Sequence, residues 1–390
     1  MKKVFGPGVL LICILVLLLL WLVPPFVERS KNQVEDHGPF ALSDQTVALH
    51  KTLLVADLHA DSLLWSRDLR KKSTYGHVDL PRLREGNVAI QVFPAVTKSP
   101  RGMNYESNEA DAPDNIKLLA MAQLWPPKTW DSILERAYYQ AEKLAYLEEN
   151  EPESLKIIRT RSDLKMVLAE RANRGSQKVA ALLAMEGAHP FEGKLTNIQN
   201  LYNVGYRMAG LQHFFDNELG GSLHGTSGEG LTAFGRAAVV LMDDMNMIID
   251  VAHSSPQVVK DTLAITERPV IVSHTGMRGL CDTPRNISDS LMRLIANKGG
   301  LIGIGYWADA SCDTSPEGIA KMIRYAVDVV GVDHVALGSD FDGAVTTGFD
   351  TSELPALTQA LMFAGFKEPE IRKVMGENVR DFFLKWLPEK

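Results

Sequence analysis

Val55-Ala56-Asp57-Leu58-His59-Ala60-Asp61 is the stretch on which the reading of the fold turns, a short apolar β-type run that ends in two groups able to bind a metal. A β-strand sends alternate side chains to the same face, so His59 and Asp61, two apart, point one way and can grip one cation. Taken alone, a His-x-Asp pair at a strand end serves a hydrogen-bonded structural role just as well. The metal reading therefore depends on the rest of the chain supplying more ligands.

Working outward, runs of the same kind recur with helical stretches between them: Thr52 to Asp57, Val88 to Phe93, Val179 to Met185, Tyr206 to Gln212, Met247 to Ala252, Val270 to Ser273, Gly300 to Gly305 and His334 to Ser339. Most are near-continuous apolar segments, as expected of parallel strands covered on both faces. Between them, Thr232 to Met245, a segment opened by Ser255-Pro256, Ser288 to Asn297 and Pro316 to Val330 carry apolar residues at helical spacing. Eight alternating β and α units predict an α/β fold of the TIM-type (β/α)8 barrel class, with a doubly wound open sheet as the alternative. The long interval Pro94 to Lys178 exceeds one crossover and holds an amphipathic helix from Trp130 to Ala145, so a helical insertion is expected between strands 2 and 3.

The chain of 390 residues is 45% hydrophobic and 23% charged, ordinary globular composition. Its net charge of −7 is spread without long runs, which argues against a nucleic-acid partner and leaves a small molecule as the expected one. Met1-Lys2-Lys3 precedes an uncharged segment from Val4 to Val27. Lysines before such a run predict one N-terminal transmembrane segment with the following domain on the non-cytoplasmic side, periplasmic or extracellular. A cleaved signal peptide fits less well, because Pro24-Pro25-Phe26-Val27-Glu28 lacks an Ala-x-Ala pattern. The expected division is residues 1–27 as membrane anchor or signal segment, 28–50 as a stalk and 51–390 as the barrel domain. Cys281 and Cys312 allow one disulfide but no framework.

In such a barrel the active site lies at the carboxyl ends of the strands. Those ends carry His59 and Asp61, Glu186, His213, His253, His274 and Asp340. Each alone reads as a core histidine or a capping carboxylate, but ten histidines in 390 residues would rarely place four at strand ends by chance. Three histidines, an aspartate and a glutamate exceed the needs of one tetrahedral zinc with an open position. Two ions sharing Glu186 account for them better, one taking His59 and Asp61, the other His253 and His274. Two cations roughly 3.5 to 4 Å apart can hold a bridging hydroxide and polarise a carbonyl, which is the apparatus of amide hydrolysis. Imidazole with carboxylate suits zinc best, with manganese or iron as the alternatives.

Asp57-Leu58-His59-Ala60-Asp61, Met185-Glu186-Gly187-Ala188-His189, Gly205-Tyr206-Arg207 leading to His213, Gly230 to Gly235, Ile249 to His253, Val272-Ser273-His274, Pro284-Arg285-Asn286 and Gly338 to Gly343 together resemble, in order, the motifs of the membrane dipeptidase (renal dipeptidase) family of zinc peptidases. The resemblance extends from about Thr52 to Phe383. It implies a dizinc barrel that cleaves dipeptides, with metal ligands His59, Asp61, Glu186, His253 and His274. It also implies that Asp340 is the acid-base residue, that His213 binds substrate and steadies the oxyanion, and that Arg285 meets the substrate carboxylate. A homodimer is a further expectation.

Two departures keep the ligands: Leu58 and Ala60 stand where the family has Gly and Asn, and Ala188 where a second Gly is usual. The loop Phe214 to Gly228 departs more, and side-chain preference is expected to differ there. A related hydrolase of another small amide and a non-catalytic binder of peptides, or one that matures a secreted metabolite, are the alternative functions. His189 and Asp342 are read as partners that orient ligands, His224 as solvated, and His50, His77 and His334 as structural. Gly303 to Ala308 matches a dinucleotide-binding string but falls where a barrel turn is expected.

Overall fold

The computed structural model describes residues 22–389. Parallel strands β1 (Val55–Asp57), β2 (Val88–Val96), β3 (Val179–Glu186), β4 (Met208–Gly210), β5 (Ile248–Asp250), β6 (Ile271–Thr275), β7 (Leu301–Ile304) and β8 (Val335–Leu337) form one sheet. Neighbours run in chain order from β1 to β8, and β8 pairs with β1 through Leu337 and Asp57. The long register between β2 and β3, from Ile90 opposite Ala180 to Val96 opposite Glu186, completes the ring. The sheet is closed, so the barrel holds and the open-sheet alternative falls.

Strand periodicity sorts the core into two layers. Ile90 and Val92 of β2 and Ala180, Leu182 and Ala184 of β3 point inward, joined by Met208, Ile248, Ile271, Leu301 and Ala336. Phe382, Phe383 and Leu387 join the same cluster, through the C-terminal helix Asn378–Trp386 and the residue that follows it. Phe93, Ala95, Ala181, Leu183 and Met185 have the opposite parity and pack against the surrounding helices. Glu186 shares the parity of Ala180, Leu182 and Ala184, which brings a carboxylate to the top of the barrel interior. The expected helices form as Ala233–Asp244, Pro256–Ile265, Asp289–Asn297 and Pro316–Val330. Each starts where Thr232, Ser255, Ser288 or Ser315 accepts a backbone N–H of the first turn with its side chain.

Several expectations need revision. The insertion contains helices Asn115–Ala122, Ile133–Asn150 and Arg161–Arg174, but also a strand, Leu155–Ile157, that pairs with the start of β3. Residues 28–50 are not a free stalk. Glu28 is fully buried in an ion pair with Arg67, Gln33–Val34 pairs with Thr346–Thr347, and Asp44–Thr52 is a helix capped by Ser43. The polar residues that suggested a solvated linker are paired with the barrel. Of the expected membrane segment Val4 to Val27, residues up to 21 lie outside the described residues. Residues 22–31 are helical, and among the described residues no helix is long and apolar enough to cross a membrane. Cys281 and Cys312 are bonded, tying the loop after β6 to the loop after β7.

His50 shows how tightly the early segment is built in. Its Nδ1 lies 2.8 Å from Thr358 Oγ1 and its Nε2 3.1 Å from the Gly86 carbonyl, and burial lowers its pKa to about 4. A depressed histidine pKa contributes stability above its unfolded value, and that contribution is lost as pH falls through the folded value. Urea titrations at pH 7 and pH 4 should therefore show the wild type losing about 3 kcal/mol more than His50→Gln between the two pH values.

Candidate metal centre

Beyond β1 the chain leaves the strand but stays tied to its neighbours. Leu58 N–H donates to the Leu337 carbonyl, Ala60 N–H to Val92 and Asp61 N–H to Phe341, so neighbouring strand ends hold the path that His59 and Asp61 occupy. His59 and Asp61 thus sit past the strand end in the loop, yet His59 Nε2 and Asp61 Oδ1 lie 3.3 Å apart. Glu186 enters from β3, and its Oε1 stands 3.4 Å from His59 Nε2, 3.3 Å from His253 Nε2 and 3.4 Å from His274 Nε2. Its other oxygen, Oε2, is 3.4 Å from His213 Nε2. Asp340 Oδ1 lies 3.9 Å from His59 Nε2. All seven strand-end residues singled out from the sequence meet in one buried cluster.

Two of them are held in left-handed backbone, His253 at φ 62° and Asp340 at φ 61°. Such conformations are costly for non-glycine residues and persist only where the surroundings fix them. Here the His253 carbonyl accepts from Leu223 N–H at 2.7 Å, and Asp340 N–H donates to the His59 carbonyl at 3.2 Å. Gly187 at φ 78° is required as well, because a Cβ there would come within 2.9 Å of both His189 and His213. This is the glycine of the Gly187-Ala188 pair that brings His213 up to Glu186; replacement of the second glycine by Ala188 is tolerated.

The rings are oriented from below. Ser273 Oγ donates to Asp250 Oδ2 at 2.6 Å, and it lies 2.8 Å from His274 Nδ1 and 3.2 Å from His59 Nδ1. With its only hydrogen spent on Asp250, the hydroxyl must accept from both rings. In their neutral forms His59 and His274 are then Nδ1–H tautomers with Nε2 lone pairs facing the cluster. Asp57 plays the corresponding part under β8, accepting from Ser339 N–H at 2.8 Å and Ser339 Oγ at 2.6 Å.

The electrostatics suit cation binding. Burial raises Asp61 to about 7, helped by the neighbouring Glu186 carboxylate. Burial also raises Asp340 well above the usual carboxylate range, with Asp61 and Glu186 adding to it against His59 and Arg285. Burial opposes charge on Glu186 too, but His213 and His59 outweigh it and hold the group low. His253 and His274 are kept neutral, chiefly by burial and further by the Arg285 charge. Neutral His253 and His274 and an ionised Glu186 are the states that metal ligation needs, whereas His59, which Asp61 and Glu186 hold protonated against burial, and the raised Asp61 would give up their protons to an arriving cation. His59 Nε2 and Asp61 Oδ1 are buried without a hydrogen-bond partner. Donors about 2.0–2.1 Å from a shared tetrahedral ion stand about 3.3 Å from each other, which is the spacing around Glu186 Oε1. The residues present fit a cation site.

Arg285 lies beside the cluster, 1% exposed, with Nη2 donating to the His274 carbonyl at 2.7 Å and its guanidinium 5.3 Å from the Trp307 ring centre. A cavity of about 530 Å³ opens over Asp61, Glu186, His213, His253, Arg285 and Asp340. Of the divergent loop after β4, only Phe214 lines that cavity. His224 is fully buried, its Nδ1 2.9 Å from the Tyr105 carbonyl, so the solvated reading is corrected; its neighbours are the aromatic rings of Phe214 and Tyr105. His189 makes a ring contact with Phe215 and no hydrogen bond to a ligand. Asp342 bonds Ser62, Arg67 and His77 in place of a ligand. Ser273, Asp250 and Asp57 were missed as functional residues. An aspartate closing each apolar run, two before His59 and three before His253, was the available signal.

The family model described as Membrane dipeptidase (Peptidase family M19) matches residues 43–383. Dipeptidase aclJ of Aspergillus oryzae is 26% identical over 350 residues, which cover 83% of this chain and 76% of the relative. Dipeptidase verJ of Clonostachys rogersoniana is 28% identical over 314 residues, 78% of this chain and 74% of the relative. Among solved structures, a metallopeptidase of Rhodobacter sphaeroides liganded with a phosphinate mimic of the dipeptide L-Ala-D-Ala superposes with a TM-score of 0.68 at 24% identity, covering 86% of this chain and 99% of that one. The probable dipeptidase PvdM of Pseudomonas aeruginosa gives a TM-score of 0.72 at 20% identity, over 88% and 98%. At these identities the two structures speak for the fold alone.

The hydroxyl that faces both rings has a measurable consequence. Ser273→Ala should weaken divalent-cation binding by about 10–100-fold in a competition titration against a chelator, while Ser273→Thr should retain most of the affinity.

Proposed function

The chain belongs to the membrane dipeptidase family, and from that premise we propose that it is a dizinc dipeptidase hydrolysing the peptide bond of small dipeptides with a free carboxylate. The observation that carries the reading is Glu186 Oε1, placed 3.3–3.4 Å from the Nε2 atoms of His59, His253 and His274 at the floor of a cavity that also contains Arg285 and Asp340. His59 and Asp61 would hold one ion, His253 and His274 the other, and Glu186 both. So held, the ions would supply Lewis-acid polarisation of the scissile carbonyl and a water acidic enough to attack at neutral pH.

The chain's own residues do the rest. Arg285 carries a buried guanidinium that makes no ion pair among the described residues, and its Nε has no hydrogen-bond partner. An uncompensated buried charge is expensive, and a planar fork matches a carboxylate, so the substrate's C-terminal carboxylate belongs there. Asp340 takes a proton from the attacking water and delivers it to the leaving amine. Its burial beside Asp61 and Glu186 raises its affinity for that proton. His213 has Nδ1 at 3.0 Å from the Lys98 carbonyl, so it can donate from Nε2 to a developing oxyanion only as the doubly protonated ring.

Two features support a place on the non-cytoplasmic side of a membrane, tethered through the apolar run ahead of the helix over residues 22–31: the lysines before that run, and the Cys281–Cys312 bond, which is at home in an oxidising compartment.

Full-length protein in detergent should bind two equivalents of zinc and release free amino acids from dipeptides, with activity lost to a chelator and restored by zinc. Asp340→Asn should retain both ions and lose about 10²–10⁴-fold in kcat. Metal binding without dipeptide cleavage, or an Asp340→Asn variant as fast as the wild type, would overturn the reading.

A further inference from the structure

We infer that the cavity contains an apolar subsite, walled in part by the N-terminal helix, which selects a bulky apolar side chain on the amino-terminal residue of the substrate. The inference rests on the dipeptidase reading above and narrows its substrate class.

The cavity's two ends differ in chemistry. At about 530 Å³ it falls within the range, roughly 300–1,000 Å³, that holds drug-sized ligands, and two small residues would leave much of it unfilled. One end holds the ionisable cluster. The other is walled by Val27, Leu64, Trp65, Val96, Ile116 and Leu119. These form a hydrophobic cluster separate from both layers of the barrel core. The Trp65 indole N–H is already satisfied by the Asp342 carbonyl at 2.6 Å, so the ring offers the cavity no unmet donor. Asn115 is likewise occupied, its N–H donating to the Ser99 carbonyl and its side-chain amide to Pro100. Met103 and Leu118, both lining the cavity, are 41% and 52% exposed, so apolar surface reaches its mouth, where the exposed Lys31 of the same helix as Val27 is the charged residue on this side.

The order along the site fixes which residue of the substrate meets this end. Arg285 lies on the His253 and His274 side, 3.4 Å from His253 Nε2. Leu64 and Trp65 follow Asp61 within one short helical turn, and the remaining wall residues pack with them in one cluster. The apolar wall is therefore on the Asp61 side. With the carboxylate at Arg285 and the scissile carbonyl over the cluster, the amino-terminal residue extends toward Leu64 and Trp65. Its side chain enters the apolar end.

The helix over residues 22–31 is a structural part of this wall. Val27 packs into the cluster, and the next residue, Glu28, is fully buried against Arg67, which also meets Asp342. This fixes the helix against the site, so Val27 is a defined surface for the substrate.

The test uses zinc-loaded full-length protein in detergent and two dipeptide series, X-Gly and Gly-X, with X as Gly, Ala, Leu or Phe. kcat/KM should rise at least about tenfold from Gly-Gly to Leu-Gly or Phe-Gly, and less along Gly-X. Leu119→Glu should collapse the ratio of Leu-Gly to Ala-Gly toward one, while Leu119→Met should keep it; melting temperatures check that both variants fold. Hydrolysis with a flat X-Gly profile overturns the subsite and leaves the dipeptidase reading intact. A ratio that survives Leu119→Glu in a folded variant also overturns it. No hydrolysis of any member overturns the dipeptidase reading and this inference together.

Discussion

Everything at the top of the barrel is arranged around one carboxylate that is buried among imidazoles and edges the cavity. Withdrawing an ionised group from solvent costs several kcal/mol unless charge and hydrogen bonds replace hydration. Glu186 is held low all the same, because the His213 and His59 imidazoles outweigh the effect of burial. That balance makes demands on the fold. The run of in-register pairs between β2 and β3 carries the glutamate to the barrel mouth at the parity that faces inward. Gly187, with no side chain, lets His213 approach. His253 accepts a left-handed backbone, and its carbonyl is fixed by Leu223 N–H.

A second layer of charge lies beneath the first. Asp250 and Asp57 are fully buried carboxylates, each shielded by serine hydroxyl and backbone N–H donors and neither reaching the cavity. Through Ser273 and Ser339 they turn strand-end backbone into a rigid seat for the rings above. The hydroxyl of Ser273 serves His59 and His274, which come from opposite halves of the proposed ion pair. A single side chain thus sets the hydrogen on both rings, and the two halves of the site share an orientation.

What the sequence revealed and what it hid have physical causes. Continuous apolar runs ending in His, Asp or Glu were legible because a buried parallel strand tolerates few polar residues before its end. The strand ends therefore stood out, and with them all seven cluster residues. The two-residue spacing of His59 and Asp61 was read as strand alternation, but those residues lie past the strand, held by hydrogen bonds to Val92 and Phe341 that no local pattern announces. His224 looked solvated in a glycine-rich loop; its burial depends on Tyr105, more than a hundred positions earlier. Polar residues in 28–50 suggested a linker because their partners, Arg67 and the Thr346–Thr347 strand, are remote in sequence.

That last misreading changes how the N-terminus and the site are related. A chain of contacts runs from the helix over 22–31 to the reacting groups: Glu28 pairs with Arg67, Arg67 with Asp342, and Asp342 accepts from Ser62 at 2.5 Å. Ser62 is the residue after Asp61, and Asp342 lies two residues beyond Asp340. A displacement of the helix therefore reaches both a proposed ligand and the proposed proton carrier through buried, charge-assisted links, which tolerate little slack. Arg67 and Asp342 are each stabilised in their charged forms by this pairing despite burial. Burial pushes Glu28 itself up to about 7 against the pull of Arg67, and losing it would leave Asp342 as the carboxylate partner of the guanidinium. The segment that leads out of the apolar N-terminal run is thus integral to the site, and a domain boundary drawn at residue 50 would cut through the machinery it was meant to isolate.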